Sequence, residues 1–559
     1  MLALVLGLLT VLAIRVLAVF VPGRPLWGFD LWRDVPEAEW IASVVVVLVA
    51  MVPAVGRRLT RLLPDSAGML FASALVVATA LAMFTLAHPD RALYTGDASL
   101  RHGEFATLEH PETVAPQATR GDLYLHHALP RAVAASTPMT PEDVGRAQGA
   151  LLAFLTALAG WRLAVAAGTR GLVALAVATI AASTGALALD NGYAKASVEV
   201  CALATLLAAG VVRLENDGRG LGTVGVSLGL ALLLHRSALA LVPVWLVGAV
   251  LVFRTRRRPD GSTWLGLLAP LAALSIAGPD LWRVVSGYDR AQHLPTSSGA
   301  LLARFQAARL ADRANVLGLL VPLAPVLPLL LSLRPRLGAR QWALAAALVI
   351  PPLALLVLVP PQQGLFRDWD VFAFAGSVVA ALLAWRFAAV LSATSRARSL
   401  AAAFGLASLL PALQWAAIQS DPPRLWARAE SILVGPPFRE TEERAQGLAT
   451  LGLLRYARGQ FADARRLFQR SLDLSPHPRM LVQWGILAGL SGHPDEAMGY
   501  YRRATQIRPD LASAWQGVAE VGITLGDAAS VREAVTRLVE LEPTNPALPA
   551  AKQWLGLSR

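Results

Sequence analysis

The chain has 559 residues, of which 55% are hydrophobic and only 16% charged, and its mean hydropathy is +0.51. A water-soluble protein would have no interior large enough for so much apolar surface, so the composition predicts a polytopic membrane protein. The net charge of +12 is almost entirely arginine, because Lys195 and Lys552 are the only lysines. We therefore expect no nucleic-acid partner. The single cysteine, Cys201, excludes an intramolecular disulfide and any metal centre built on clustered cysteines.

Apolar runs of about the length that a helix needs to cross a membrane, roughly 20 residues, recur through most of the chain. They predict an all-α fold, a polytopic transmembrane helical bundle of about thirteen spans. The spans are expected near 1–21, 41–55, 69–87, 147–167, 171–189, 196–212, 221–234, 237–253, 263–277, 314–333, 341–359, 371–391 and 401–418. The first run lacks a basic start and a small-residue cleavage site, which favours a retained helix over a signal peptide.

Basic clusters indicate the orientation of the bundle, because arginine and lysine accumulate in cytoplasmic loops. When the spans are threaded in order, the basic clusters fall on one face: 57–61, 254–258, 334–340 and 396–398, with lighter ones at 170 and 213–219. The other face receives the long loops 88–146 and 278–313 and everything after residue 419. We therefore expect a multi-pass protein of the bacterial cytoplasmic membrane, with a cytoplasmic N-terminus and extracytoplasmic long loops and C-terminal domain.

The chain is expected to divide into a transmembrane domain (1–420), a linker (421–439) and a C-terminal helical domain (440–559). In the last, glycine and proline recur with a period of roughly 34 residues. The recurring residues are Gly459, Gly492 and Gly526, and Pro476, Pro509 and Pro543. With small and aromatic residues between them, this pattern resembles the tetratricopeptide repeat and predicts a short α-solenoid with a concave groove. A rigid packing cap without a ligand is an equally consistent interpretation.

Several polar residues lie in the first long loop, on the predicted extracytoplasmic face. Asp97 comes soon after the span that ends at residue 87, where a carboxylate can take a proton from an acceptor hydroxyl as general base. Partial desolvation there is expected to raise its pKa. The alternative is that Asp97 only caps a turn after Gly96. His102 and Glu104 are further substrate-binding candidates, and their spacing is not diagnostic of a metal site.

Two tight turns on the same face add candidates for binding an anionic group. Lys195 lies four residues before Glu199, so the two are expected to pair on one helix face, either in a functional site or as a structural anchor. Arg236 is placed to hold an anionic headgroup, and His235 can hydrogen-bond the same group.

The densest late polar segment contains Arg367, Asp368 and Asp370 around Trp369. A cation, two carboxylates and an indole at the membrane surface suit a sugar or a diphosphate. They equally suit a structural Arg–Asp clamp beside an interfacial tryptophan.

This architecture resembles the GT-C superfamily of polyprenyl-phosphate-sugar glycosyltransferases. The shared features are the long acidic loop after a span, the many spans, the polar motifs on that face and the C-terminal domain. Bacterial relatives of the protein O-mannosyltransferases are most similar, over roughly residues 69–418. The resemblance implies sugar transfer from a polyprenyl-phosphate donor to an extracytoplasmic protein, lipid or glycan. Asp97 would activate the acceptor, and Lys195, Arg236 and Arg367 would approach the lipid phosphate. Membrane lipids and an acceptor at the repeats are the other expected partners, and a divalent metal stays open.

One feature departs from that family, whose members usually place the acidic loop after the first span. Here two spans come first, so either 1–55 is an added hairpin, which we favour, or the equivalent acid is Asp30 or Asp34.

Two other functions stay open: an O-antigen ligase or polymerase-type enzyme, and a non-enzymatic scaffold that recruits partners through its repeats. The early acidic loop argues against the first, and the number of spans argues against simple anchoring.

Overall fold

The computed structural model describes residues 1–62, 66–102, 105, 108–113, 115–255, 260–293, 302–361, 363–437 and 439–557. Within these residues all regular structure is helical and no strand is present. The all-α prediction is therefore confirmed. The chain divides into two compact units, Met1–Phe438 and Arg439–Arg559.

Unit 1 contains the apolar helices. In chain order they are α1 (Leu2–Phe20), α2 (Glu37–Met51), α3 (Pro53–Leu62), α4 (Ala67–Ala87), α5 (Arg120–Leu123), α6 (Leu129–Ser136), α7 (Pro141–Ala166), α8 (Gly171–Ala182), α9 (Ser197–Asp217), α10 (Leu221–Leu234), α11 (Val242–Thr255), α12 (Gly261–Arg283), α13 (Arg290–His293), α14 (Ala307–Leu320), α15 (Leu327–Ser332), α16 (Ala339–Leu358), α17 (Ala373–Ser392), α18 (Ser395–Arg398), α19 (Ala401–Gln419) and α20 (Pro422–Val434). Short 3-10 or π turns join several of them, including Tyr124–Ala128, Arg236–Leu241, Val284–Asp289 and Trp369–Phe372.

The expected number of about thirteen spans is not confirmed. In the described part of the chain, nine helices are long and apolar enough to cross a membrane, or up to eleven if each of two bent pairs is one span. The nine are Leu2–Phe20, Gly68–Ala87, Pro141–Ala166, Ser197–Asp217, Arg236–Arg254, Gly261–Asp289, Ala339–Leu358, Trp369–Ser392 and Ser395–Gln419. The predicted spans at 171–189 and 221–234 contain only the short apolar helices α8 and α10.

Proline explains both bent pairs. Helix α2 meets α3 at 81°, and α14 meets the segment Ala324–Ser332 at 105°. At each break the residue before a proline is extended rather than helical, with ψ 120° at Val52 and 91° at Val321. The proline ring disfavours helical backbone at the preceding residue, so each apolar run breaks there.

Among the nine candidate spans, the most enclosed are those that contain α9 and α17, which pack against each other. Both are lined by small residues and leucine or valine, which allow neighbouring helices to approach closely. Lys195 lies just before the start of α9, and Asp370 lies in the turn that leads into α17. The packing of these two helices therefore brings two charged residues that are far apart in sequence to one place.

The segment 421–439, predicted as a linker, contains α20, which belongs to unit 1. Asp421 caps this helix by accepting from Arg424 N, and Pro422 occupies its first turn. Trp426 and Arg428 are buried within unit 1.

Unit 2 consists of helices that pack in pairs, and the second pair also packs on the third. They are α21 (Thr441–Tyr456), α22 (Phe461–Leu474), α23 (Pro478–Leu490), α24 (Pro494–Ile507), α25 (Ala512–Leu525), α26 (Ala528–Leu541) and α27 (Ala547–Trp554). Gly459, Gly492 and Gly526 lie at the turns within the first three pairs with φ between 72° and 78°, a backbone conformation that favours glycine. Alanines at recurring positions and large aromatic side chains are buried between the helices.

Candidate functional site

Four side chains from three separate segments form a buried polar cluster. Lys195 Nζ lies 3.3 Å from Asp97 Oδ2 and 3.0 Å from Asp370 Oδ2. Tyr193 Oη donates to Asp370 Oδ2 at 2.8 Å and accepts from the backbone N–H of Asp97 at 3.2 Å. A fifth side chain joins them, since Gln117 Nε2 donates to Asp97 Oδ2 at 3.0 Å. We call Asp97, Gln117, Tyr193, Lys195 and Asp370 the Asp97 cluster.

A tight turn that begins at Gly96 positions Asp97. The backbone N–H groups of Leu100 and Arg101 donate to the carbonyl of Asp97 at 3.0 and 3.1 Å, which closes the turn. Gly96 has φ +47°, and a Cβ atom there would lie 2.5 Å from both Asp370 Oδ1 and Tyr193 Oη. Only glycine lets the turn approach the rest of the cluster so closely.

The Lys195 ammonium lowers the pKa of Asp97 to about 2, against the opposing effect of burial, and Arg101 adds to the lowering. The expectation that desolvation raises this pKa is therefore wrong, because a cation lies within hydrogen-bonding distance. Asp97 is ionised at neutral pH. Among the described residues, both side-chain hydrogen bonds to this carboxylate reach Oδ2, and Oδ1 takes none.

Lys195 and Glu199 do not form the predicted pair. Helix α9 starts at Ser197, so Lys195 precedes the helix and the four-residue spacing does not place both side chains on one face. Glu199 instead lies 3.2 Å from His126 Nε2, in a buried pair. Burial alone would lower the pKa of His126, but Glu199 raises it above its usual value.

Gln117 also connects the Asp97 cluster to Arg236. Arg236 Nη1 donates to the backbone carbonyl of Gln117 at 3.0 Å, and its Nε lies 2.9 Å from Asp289 Oδ2. His235 is buried next to it, and burial followed by the charge of Arg236 keeps its pKa well below the usual value. His235 is thus neutral at pH 7, and its Nδ1 bonds to Ser237.

Arg236 and His235 line a mostly apolar cavity of about 680 Å³, which we call the apolar cavity. Its polar residues include Arg236, His235, Asp289, Arg290, His293 and Arg304. Its apolar residues are Leu239, Ala240, Val285, Pro351, Ala354, Leu355, Leu358, Val359, Val371, Phe372 and Phe374. A long hydrocarbon chain that carries an anionic group matches this combination of surfaces.

The polar segment that contains Arg367 and Asp368 forms hydrogen bonds with the backbone beside the Asp97 turn. Arg367 Nε donates to the carbonyl of Tyr94 at 3.1 Å and Nη2 to that of Gly96 at 3.3 Å, while Gly96 N donates to Arg367 O at 2.9 Å. Asp368 Oδ2 accepts from Gln363 N at 2.8 Å. Burial, then the nearby charge of Asp370, raises the pKa of Asp368 to about 7.

Of the other predicted residues, His102 lies further from the cluster, 3.4 Å from Glu142 Oε1 and about one-third exposed. Glu104 lies outside the described residues. Asp30 and Asp34 face Arg24 and Arg428 instead of a cavity: Arg24 lies 3.2 and 2.8 Å from them, and Arg428 pairs with both.

The sequence interpretation missed Gln117, Tyr193 and the buried pair Arg101–Asp122. Arg101 Nη2 lies 2.9 Å from Asp122 Oδ2. Burial would raise the pKa of Asp122, but Arg101 and His126 outweigh it and hold the pKa at about 2. Asp122 also accepts from Ala196 N at 3.0 Å, which ties the first long loop to the start of α9. Nothing in the sequence around Gln117 marks it, since a glutamine in a loop carries no periodic or charge signal.

Within the part of the chain that the structure describes, no three or more His, Cys, Asp or Glu side chains are grouped so that they could hold a metal ion. The Asp97 cluster offers an ionised carboxylate beside the Lys195 ammonium. Gln117 connects this carboxylate to the guanidinium of Arg236, which lines the apolar cavity. This arrangement can accept a proton at one end and bind an anion at the other.

No family model matches the chain. Among curated proteins, human tetratricopeptide repeat protein 7B is 27% identical to it over 139 residues, which cover 22% of this chain. The match spans only 16% of the length of the human protein.

Proposed function

We propose that the chain is a membrane glycosyltransferase of the GT-C type, which transfers a sugar from a polyprenyl-phosphate donor to an extracytoplasmic acceptor. One observation carries the proposal: the Asp97 carboxylate connects through Gln117 to Arg236, which lines the apolar cavity. A carboxylate, a cation and a hydrocarbon-lined cavity are the three elements that such a reaction needs.

The apolar cavity would hold the isoprenoid chain of the donor. Its walls between α16 and the start of α17 are aliphatic and aromatic, and burying each CH₂ group there contributes roughly 0.8 kcal/mol. Arg236 would pair with the donor phosphate, with Arg290 and Arg304 nearby in the same cavity. Cations and apolar walls that line one cavity suit a donor with an anionic group and a hydrocarbon chain.

Asp97 would act as general base. The acceptor oxygen attacks the anomeric carbon, its proton moves to Asp97, and the bond from the anomeric carbon to the phosphate oxygen breaks, so that polyprenyl phosphate leaves. With a pKa of about 2, Asp97 is a weak base, and it takes the proton only as the attacking oxygen becomes acidic in the transition state. Arg236 would stabilise the charge that develops on the departing phosphate.

Unit 2 would form a tetratricopeptide-type solenoid that aids acceptor or partner binding. Its pairwise helices, its recurring positive-φ glycines and the partial identity with a protein named for these repeats support that assignment. The distribution of arginines supports a cytoplasmic N-terminus, with the Asp97 cluster and unit 2 on the extracytoplasmic side of a bacterial inner membrane.

The test is sugar transfer by membranes that contain the full chain or its Asp97→Asn variant. Labelled polyprenyl-monophosphate sugars are supplied, and label in the lipid-insoluble fraction is counted with and without EDTA. We expect Asp97→Asn to reduce transfer by about 10²- to 10⁴-fold, because the substitution removes the proton acceptor and keeps the shape. Asp495→Asn, at an exposed position of unit 2, is the matched control.

No transfer from any donor would exclude the proposal and favour a membrane scaffold. Equal transfer by the wild type and by Asp97→Asn would exclude Asp97 as the general base. A parallel arm with polyprenyl-diphosphate-linked oligosaccharides separates the ligase or polymerase-type alternative. Transfer from those donors alone would favour that alternative. Loss of transfer in EDTA would indicate a divalent metal.

A further inference from the structure

A basic surface lies at the far end of α17 from the Asp97 cluster. Asp370 precedes α17, whereas α18 begins at Ser395, just after α17 ends. With 20 residues, α17 is about 30 Å long, which matches the thickness of the hydrocarbon core of a bilayer. Helices α3 and α18 pack against each other at this end. They form the basic surface, which carries five arginines: Arg57, Arg58, Arg61, Arg396 and Arg398.

Close packing at Gly56 brings the arginines of the two helices together, although they are far apart in the sequence. A Cβ atom added to Gly56 would lie 2.0 Å from the carbonyl oxygen of Ser399 and 2.9 Å from its Cα atom. The Cα atoms of these two residues are therefore within roughly 4.5 Å of each other, and those of the adjacent Arg57 and Arg398 within roughly 12 Å. At that spacing, two arginine side chains can reach the same phosphate group.

The charges of the basic surface are exposed and almost uncompensated. Among the described residues, four of the five guanidinium groups have no hydrogen bond and no ion pair, and the fifth, that of Arg398, donates to the carbonyl of Ser392 at 3.3 Å. Neither helix contains an aspartate or a glutamate. The first acid after α3 in the sequence is Asp65, which lies outside the described residues. Five positive charges thus stand against one negative charge, so the surface is complementary to an anion.

Apolar residues beside the arginines indicate that the anion carries a hydrocarbon chain. Helix α3 bends 81° away from α2. Val55, Leu59 and Leu62 have the spacing of one helix face, next to the face of the arginines, and Leu62 is 68% exposed. A helix with one apolar and one basic face lies flat in a membrane interface. Helix α2 exposes a row of valines up to the bend: Val45, Val49 and Val52.

We propose that the basic surface binds the headgroup of an anionic phospholipid. Its phosphodiester would contact the arginines, and its acyl chains would lie along the apolar face of α3 and the exposed valines of α2. An acidic protein or a free phosphate would satisfy the arginines and leave the apolar residues uncovered. A zwitterionic phospholipid carries its own cation beside the phosphate, so it gains less from the arginines. The lipid belongs to the leaflet away from the Asp97 cluster, and its binding does not depend on the proposed function.

The experiment measures headgroup preference at this surface in the full chain. The protein is reconstituted in phosphatidylcholine nanodiscs, in which both membrane faces are accessible. Each sample contains a trace of phosphatidylglycerol or phosphatidylcholine that carries a photoactivatable group in one acyl chain, and cross-linked peptides are quantified by mass spectrometry. We expect the phosphatidylglycerol probe to label peptides from α2, α3 and α18 at least about tenfold more than the phosphatidylcholine probe. Unlabelled phosphatidylglycerol should compete with it.

Two variants with the same loss of charge test the arginines. One replaces three arginines of the basic surface: Arg57→Gln, Arg58→Gln and Arg396→Gln. The matched control replaces three exposed arginines of unit 2: Arg479→Gln, Arg503→Gln and Arg532→Gln. Because each arginine near an anionic headgroup contributes roughly fivefold in affinity, the first variant should lose nearly all of the preference. The control should keep it.

Gly56→Ala tests whether the arginines act together. It keeps all five charges, but its methyl group would collide with the Ser399 carbonyl and move α3 away from α18. We expect the preference to fall roughly threefold to tenfold, and melting followed by tryptophan fluorescence verifies that the variant is folded. An unchanged preference in a folded Gly56→Ala chain would show that the arginines act as separate charges, and would overturn a site built from the two helices.

Three further outcomes would overturn the inference. Equal labelling by the two probes would show that the surface does not distinguish headgroups. An equal preference in the basic-surface variant and its unit 2 control would show that these arginines do not bind the lipid. Removal of the label by soluble polyglutamate, at concentrations where unlabelled phosphatidylglycerol has no effect, would indicate an acidic protein partner instead.

Discussion

The two units of the chain hold their charged side chains together in opposite ways. In unit 1 the Lys195–Asp370 contact joins residues 175 positions apart, and the Arg428–Asp34 contact joins residues 394 apart. In unit 2 the pairs Arg465–Glu496 and Arg502–Glu533 each join residues only 31 positions apart, and their side chains are largely exposed. The site in unit 1 thus exists only when distant helices have assembled, whereas unit 2 is built from local contacts between neighbouring pairs.

The largest expected effect is that of Lys195→Met. It leaves Asp97 and Asp370 buried without their shared cation, which should cost about 3–5 kcal/mol of unfolding free energy. It should also reduce sugar transfer roughly hundredfold, because the carboxylates are no longer held in place. Melting followed by tryptophan fluorescence in detergent, together with the transfer assay, measures both effects.

The only other lysine of the chain provides the control. Lys552→Met, in the last helix of unit 2, should change stability by less than about 0.5 kcal/mol. Adding Asp370→Asn to Lys195→Met should recover part of the lost stability, with a coupling of about 0.5–3 kcal/mol. If the two lysine variants melt alike, the Asp97 cluster does not hold unit 1 together.

Arg428→Leu should come next in size. Arg428 is fully buried and pairs with Asp30 and Asp34, so its loss should cost about 3–5 kcal/mol. The matched variant in unit 2 is Arg465→Leu. Its side chain is largely exposed, so its loss should cost between zero and about 1 kcal/mol. Melting curves of the two variants compare them directly, and equal shifts would contradict the contrast between the units.

Asp368 gives unit 1 a pH dependence of stability. Its pKa is raised from 3.8 to about 7, so between these values the folded chain holds a proton that the unfolded chain releases. This contribution is complete below about pH 4 and is lost as the pH rises through about 7. Melting at pH 5, 6, 7 and 8 should show a decline for the wild type that is smaller for Asp368→Asn. Parallel curves would show that this carboxyl is not buried as described.

The smallest expected effects are local to unit 2 and opposite in sign. Gly492 has φ +78°, so Gly492→Ala should destabilise unit 2 by about 1 kcal/mol. Gly499 lies inside α24 with open space where a methyl group would project, so Gly499→Ala should stabilise it by about 0.5–1 kcal/mol. Melting of the full chain measures both, and sugar transfer should be unchanged. A fall in transfer for either variant would show that unit 2 does more than fold locally.

The helices of unit 1 follow from the sequence because apolar runs are a strong and local signal. Their number does not, because a single proline at position 53 or 322 makes the preceding residue extended and breaks a run that composition alone presents as one span. The run at 171–189 forms the α-helix α8 over only 12 residues, and the run at 221–234 is helical throughout but only 14 residues long.

The charged residues of the candidate site could be predicted from the sequence, but not which of them pair. Asp97, Lys195 and Arg236 stand out because a membrane protein rarely places charges beside its spans without use. The pairing of these charges depends on where α9 begins and on how it packs against α17. Sequence periodicity does not locate the start of a helix to within two residues. For that reason the sequence predicts a Lys195–Glu199 pair that does not form, and it gives no sign of the bridging Gln117.

The one cysteine of the chain, Cys201, lies in the interior of α9 with 3% of its surface exposed. A thiol this enclosed gives almost no background with water-soluble maleimides. Single cysteines introduced at exposed loop positions can therefore be labelled in intact cells with no prior removal of native thiols. Comparing a reporter near Arg120 with one near Arg396 would show whether these two positions lie on opposite sides of the membrane.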